Sequence, residues 1–170
     1  MKRGDNMNFS IVFNRQFTNK VEMILHSPGN IPGKMFEMTL VIDRNLKKED
    51  VEEVVPHLLR TLKRHSEVFL NVRLNVVSWI GDEQILNEIT PMSMAMIKSY
   101  YEKYEQNIIN KSYLTLMKNL KLFHARSKLV ILVTDGMYDK SDEEEVKRAM
   151  QPFLFRKVLR VVVNDGVELG

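Results

Sequence analysis

Two stretches decide the fold: Met35-Phe36-Glu37-Met38-Thr39-Leu40-Val41-Ile42-Asp43 and Lys128-Leu129-Val130-Ile131-Leu132-Val133-Thr134-Asp135-Gly136. Both are nearly continuous apolar runs, and the β-branched residues in them mark strands covered on both faces, as in parallel sheets lying under helices. Each run stops at an aspartate, Asp43 or Asp135. A third such run, Val158 to Val163, stops at Asn164-Asp165.

Working outward, Lys48 to His65 places Val51, Val54, Val55, Leu58, Leu59 and Leu62 at helical spacing. Its acids come early and its bases late, which suits the helix dipole, and Pro56 is expected to kink it. Val72 to Trp79 and Ile85 to Ile89, joined through Gly81-Asp82-Glu83, read as an antiparallel hairpin closed by Pro91. Met94 to Gln106 and Tyr113 to Phe123 read as helices. Ser141, with Glu144 three residues on, reads as the capping box of the next helix.

The order strand, helix, hairpin, helices, strand, helix, strand predicts an α/β fold. It is a Rossmann-like three-layer sandwich whose mostly parallel sheet carries an antiparallel edge hairpin. Before it, Phe9 to Phe13 and Val21 to Leu25 alternate as a second hairpin, and Ser27-Pro28-Gly29-Asn30-Ile31-Pro32-Gly33 interrupts regular structure. The expected organisation is an N-terminal β-hairpin and linker over residues 1–34, packed on an α/β domain over residues 35–170.

Composition narrows the function classes. The 170 residues contain 25 Lys+Arg against 22 Asp+Glu, a formal charge of +3 that does not point to nucleic acid. The absence of cysteine excludes disulfides, thiolate metal sites and Cys nucleophiles. No apolar run approaches the roughly 18 residues of a membrane span, so the expectation is a cytoplasmic protein with no membrane partner. The eleven methionines read as core filler.

Ligands of parallel sheets collect at the carboxyl ends of the strands, and here those ends carry Asp43 and Asp135. Two carboxylates facing one crevice need a cation, hydrogen bonds or protonation to offset their charge. With these residues in view, the chain from Met35 to Asp165 resembles a von Willebrand factor A-type domain. That family's metal-ion-dependent adhesion site begins Asp-x-Ser-x-Ser after the first strand, where this chain has Asp43-Arg44-Asn45-Leu46-Lys47. It continues with a loop ending in Thr, matched by Asn110-Lys111-Ser112, and with Thr-Asp-Gly, present as Thr134-Asp135-Gly136. The family usually adds a further helix and strand after the element matched by Val158 to Val163, which suggests that the N-terminal hairpin covers that edge.

The resemblance implies a non-enzymatic module that binds a protein partner at the crevice rim, with Asp43, Arg44, Asn45, Lys47, Ser112, Asp135, Met137 and Tyr138 forming the site. An Mg-type ion, if bound, would be held by Asp43, Asn45, Ser112 and Asp135. Lys47 replaces the second motif serine with an ammonium that cannot ligate a metal. The expectation is therefore a degenerate site with no cofactor, in which Lys47 or Arg44 offsets the two acids and favours an acidic or polar partner segment.

Two other readings stand beside this one. In the first, Asp43 and Asp135 only cap strand ends by bonding loop N–H groups. In the second, Ile42-Asp43-Arg44-Asn45, Asp135 and Asp139 imitate a metal-dependent nuclease of PIN or NYN type, although two-metal cleavage needs more convergent acids and the 72–91 hairpin argues against it. The four histidines have no metal-site spacing, no serine sits in a nucleophile elbow, and no Gly-rich phosphate loop follows Asp43. Tyr100, Tyr101 and Tyr104 lie at spacings that favour packing over base stacking.

Overall fold

The computed structural model describes residues 36–64, 72–81, 84–89, 102–127, 129–150, 158–163 and 166–169. The N-terminal hairpin and linker, residues 1–34, lie outside them. The described elements run β1 (Phe36–Asp43), α1 (Lys48–Arg64), β2 (Val72–Trp79), β3 (Gln84–Ile89), α2 (Tyr113–Phe123), β4 (Leu129–Thr134), α3 (Glu143–Met150), β5 (Val158–Val162) and β6 (Gly166–Leu169). They form one sheet in the order β3-β2-β1-β4-β5-β6. The pairs β2–β1, β1–β4 and β4–β5 are parallel, whereas β3 and β6 pair antiparallel to β2 and β5. Residues 82–83, between β2 and β3, where the sequence predicts the hairpin's turn, lie outside the described residues.

The apolar runs form the centre of this sheet, as their two-sided hydrophobicity requires. Every residue of β4 is buried, and so are Met38 to Asp43 of β1. On one face Val41, Val77, Trp79, Val130, Leu132 and Val158 pack with Tyr113, Leu116, Met117 and Leu120 of α2 and Val146 of α3. The other face carries Met38, Leu40, Ile42, Leu74, Val76, Ile131, Val133 and Leu159, all buried. From β1 the chain steps through α1 to β2 on one side, while β4 lies on β1's other side and steps on through α3 to β5. Right-handed crossovers in opposite directions put their helices on opposite faces, so α1, with Val51, Val54, Val55 and Leu58 buried, covers the face that α2 and α3 leave. The direction reverses between β1 and β4, and a crevice opens at such a reversal beyond the carboxyl ends of the strands.

Three local expectations need correction. The helix drawn to Gln106 ends by Lys103, and residues 104–110 run as irregular loop; its earlier part lies outside the described residues. The run ending at Asn164-Asp165 is followed by β6, a short strand not foreseen from the sequence, which pairs with β5; the N-terminal hairpin expected at that edge lies outside the described residues. Ser141 does not cap α3. Asp142 does, its Oδ1 accepting the amides of Glu144 at 2.8 Å and Glu145 at 3.3 Å. Ser141 sits at φ 61°, which turns its hydroxyl away from its own helix and toward α2. There its Oγ accepts the Leu114 amide at 3.3 Å, beside the α2 N-cap Ser112. A capping box in sequence thus becomes two caps on two helices, which ties α2 to the loop before α3.

Replacing Asp142 by Ala is expected to cost about 1 kcal/mol in urea denaturation and to speed exchange of the Glu144 and Glu145 amides. Ser141→Ala should instead speed exchange at Leu114. Interchanged protection patterns would assign the caps the other way.

Candidate functional site

Asp43 ends β1 with its side chain on the Val41 face, and it is fully buried. A carboxylate there needs partners for both oxygens. Oδ2 accepts the Thr134 hydroxyl from the end of the neighbouring strand β4, at 2.6 Å. Oδ1 accepts the Asn45 amide at 2.9 Å and the ammonium of Lys111. That ammonium also donates to the Trp79 carbonyl at the end of β2, at 2.8 Å, and lies 4.7 Å from the centre of the Trp79 ring. Two adjacent strand ends therefore meet at one lysine whose charged side chain is shut off from solvent, and a third, that of β4, joins them through Asp43. Burial pushes the Lys111 ammonium below the usual lysine range, against the opposing pull of the Asp43 hydrogen bond and of the Asp43 and Asp135 charges.

The loops are fastened to this pair by Asn45. It is buried, and its Oδ1 accepts the Ile109 amide at 2.9 Å. Its Nδ2 donates to the Met137 carbonyl at 3.2 Å, and its own carbonyl accepts Gln106 Nε2 at 2.9 Å. One amide side chain thus joins the loop before α2 to the loop after β4. Tyr104 adds a second fastening: its hydroxyl donates to the Leu46 carbonyl at 2.6 Å and lies 3.2 Å from that of Asp43. The Thr134-Asp135-Gly136 turn is fixed as well. Gly136 takes φ +80°, a conformation that a residue with a Cβ rarely adopts, and its amide donates to Thr134 Oγ1 at 3.0 Å.

The structure distributes the sequence-derived site residues unevenly. Asp43 and Asn45 lie at the centre. Asp135 is half-buried at the mouth, its Oδ1 accepting the Met137 amide at 2.9 Å. Neither cation proposed from the sequence faces Asp43. Arg44 donates to the Glu105 carbonyl at 3.1 Å and stacks over Tyr104, 4.6 Å from the ring centre. The Lys47 side chain is exposed, while its carbonyl accepts the amides of Asp50 and Val51 at the start of α1. The cation beside Asp43 is Lys111, within the very stretch matched to the family's threonine loop. Its neighbour Ser112 caps α2 and lies 3.1 Å from Ser141 Oγ. Tyr138 is half-buried, stacks on Tyr113 at 5.5 Å and accepts Arg160 Nη1 at 3.3 Å.

The donor set does not suit a divalent ion. Asp43 uses both oxygens, Asn45 Oδ1 is taken by Ile109, Ser112 is part of a helix cap, and an ammonium stands where positive charge is wanted. Among the described residues no three His, Cys, Asp or Glu side chains are grouped as metal ligands. Lys111 and Asp43 are sealed from any substrate, so the arrangement holds loops in place and offers no solvent-facing acid–base pair. No helix among the described residues is long and apolar enough to cross a membrane. No family model matches this chain, and no curated protein matches it.

Asp43→Ala strands the Lys111 ammonium without its counter-charge and is expected to cost about 3–5 kcal/mol in chemical denaturation, whereas Asp135→Ala should cost under about 1 kcal/mol. A second outcome follows from Tyr113, whose hydroxyl burial pushes up to about 12, with Arg160 pulling the other way. As pH rises from 10 to 12 the unfolded chain loses this proton before the folded one does, so stability falls by about 2–3 kcal/mol through this group. Tyr113→Phe should remove that part of the alkaline decline, measured as the difference between wild type and variant; equal slopes would contradict it.

Proposed function

We propose that this chain is a non-enzymatic, cytoplasmic protein-binding module of von Willebrand factor A type. On this reading it is a three-layer sandwich edged by the 72–91 hairpin, and it holds a partner in the crevice beyond β1 and β4 without a divalent ion. The observation that carries the reading is what the two loops joined by Asn45 present to solvent. Ile108 is 76% exposed, Ile109 40% and Met137 72%. The Asn45 amide brings the Ile109 and Met137 backbones together, and Ile109 also lies beside Gly81, after the end of β2. Large apolar side chains held outward on firmly anchored loops are the usual mark of a surface that a partner covers.

The interior of the site favours binding over chemistry for a separate reason. A buried, hydrogen-bonded ion pair sets loop geometry, and a preformed loop surface loses little entropy when a partner docks. The polar groups at the rim, among them Arg44, Lys47, Asp135 and Tyr138, would then select the partner more than hold it.

Capture from an extract of the cells that express the chain, with matched baits, tests this. A protein retained by wild type should be lost with Ile109→Asp or Met137→Asp and kept with Leu122→Asp, whose side chain is 71% exposed near the far end of α2. Retention by all four baits would place binding elsewhere. Mg²⁺-dependent RNA cleavage abolished by Asp43→Ala would replace the reading with a nuclease.

A further inference from the structure

We propose that the crevice mouth takes the end of α2 from a second copy of this chain, so that molecules associate head to tail. The proposal deepens the binding reading, on which it rests for the crevice being a docking surface, and it names the occupant. Two exposed apolar patches carry it: they lie at opposite ends of the sheet, and the charges around them are opposite.

The second patch is at the end of α2. Helical spacing that buries Leu116 and Leu120 would bury Phe123 as well, yet Phe123 is 61% exposed and its neighbour Leu122 71%. α2 begins just after Lys111, whose ammonium reaches the carboxyl end of β1, and the chain re-enters the sheet at Leu129, the start of β4. Leu122 and Phe123 therefore project near the amino ends of the strands. A helix of 11 residues spans about 16 Å, so no copy can bring this patch onto its own crevice mouth at Ile108 and Met137. A contact between the two patches joins two molecules.

The charges divide in the same way. From Gln106 to Thr134 the chain holds no Asp or Glu. Within that stretch Lys118, one turn before Leu122, and Arg126, three residues after Phe123, are exposed, and Lys121 is half-buried beside them. From Asp135 to Glu145 the chain holds Asp135, Asp139, Asp142, Glu143, Glu144 and Glu145 against one lysine, Lys140. These acids occupy the loop that carries Met137 and the first turn of α3. The division has a structural cause. Both α2 and α3 run against the central strands, so acids that suit a helix start and bases that suit a helix end gather at opposite ends of the sheet.

Each end thus offers what the other lacks. Burying the exposed hydrocarbon supplies affinity, while the opposed charges set orientation and rate of encounter. Two like ends repel, which disfavours a two-fold dimer through either patch. Joining unlike ends gives a heterologous contact that repeats along a row of molecules or closes as a ring. A second copy is favoured over an unrelated partner because both halves of the complement lie on one chain.

The test is sedimentation equilibrium of the purified chain and of two variants, Ile108→Asp/Met137→Asp at the crevice and Leu122→Asp/Phe123→Asp at α2. Wild type should exceed its 20.0 kDa monomer mass increasingly up to about 1 mM, the range in which a contact of a few side chains associates. Each variant alone should stay monomeric, because the same end is blocked in every copy. Mixed in equal amounts, they should form a one-to-one pair of twice the monomer mass and nothing larger, since each contributes one working end. Lys118→Glu/Arg126→Glu, which keeps both apolar side chains, should also lose association. Native circular dichroism is the control, and if a double variant does not fold, Met137→Asp or Leu122→Asp alone replaces it. Wild type monomeric at every concentration, a blocked variant that associates by itself, or a mixture that stays monomeric would overturn the proposal. The mixture contains purified chain only, so its failure beside an extract capture that still depends on Ile109 removes this inference and spares the binding reading.

Discussion

The buried pair of Asp43 and Lys111 is the constraint around which the carboxyl end of the sheet is arranged. An ion pair out of reach of water contributes little net stability, because desolvating both charges costs about what their attraction returns. What it supplies is position. Asp43 can be tolerated at the end of a buried strand only if Lys111, Thr134 and the Asn45 amide all reach it, and each comes from a different part of the chain. Satisfying one carboxylate therefore fixes the end of β4, the loop after β1 and the segment entering α2.

From that point the loops follow. Asn45 extends the network outward by giving its side-chain amide to two backbone groups, the Ile109 amide and the Met137 carbonyl. Tyr104 and Arg44 pin the start of the same loop from the other side. The polar layer ends there, and exposed apolar side chains begin. This sequence of layers, from charge to amide to hydrocarbon, connects a buried electrostatic requirement to a candidate docking surface.

The architecture was legible in the sequence where one physical signal dominated. The runs ending at Asp43 and Asp135 were hydrophobic enough to be central strands, and α1 and α2 showed their periodicity plainly. That a buried Asp43 needs a cation, hydrogen bonds or protonation also followed from its place at a strand end, and the structure supplies the first two. Which cation did not: Arg44 and Lys47 are near in sequence, but β1's extended direction and the turn into α1 carry them away, while Lys111 arrives through tertiary structure. Sequence distance was the wrong guide to spatial distance. The capping motif at Ser141 failed for a related reason, since a positive φ redirects the hydroxyl to another helix and no local pattern encodes that. The strand β6 was missed because Gly166-Val167-Glu168-Leu169 is too short to show alternation.

The central claim, that a charged lysine is locked against Asp43, is most directly tested by side-chain nitrogen NMR of ¹⁵N-lysine-labelled protein at neutral pH. A buried, doubly hydrogen-bonded ammonium exchanges its protons slowly. One well-resolved, slowly exchanging lysine NH₃⁺ signal is expected, one that disappears in Lys111→Arg and is unmoved by excess Mg²⁺. A Lys111 signal indistinguishable from those of solvent-exposed lysines, or one displaced by Mg²⁺, would contradict it.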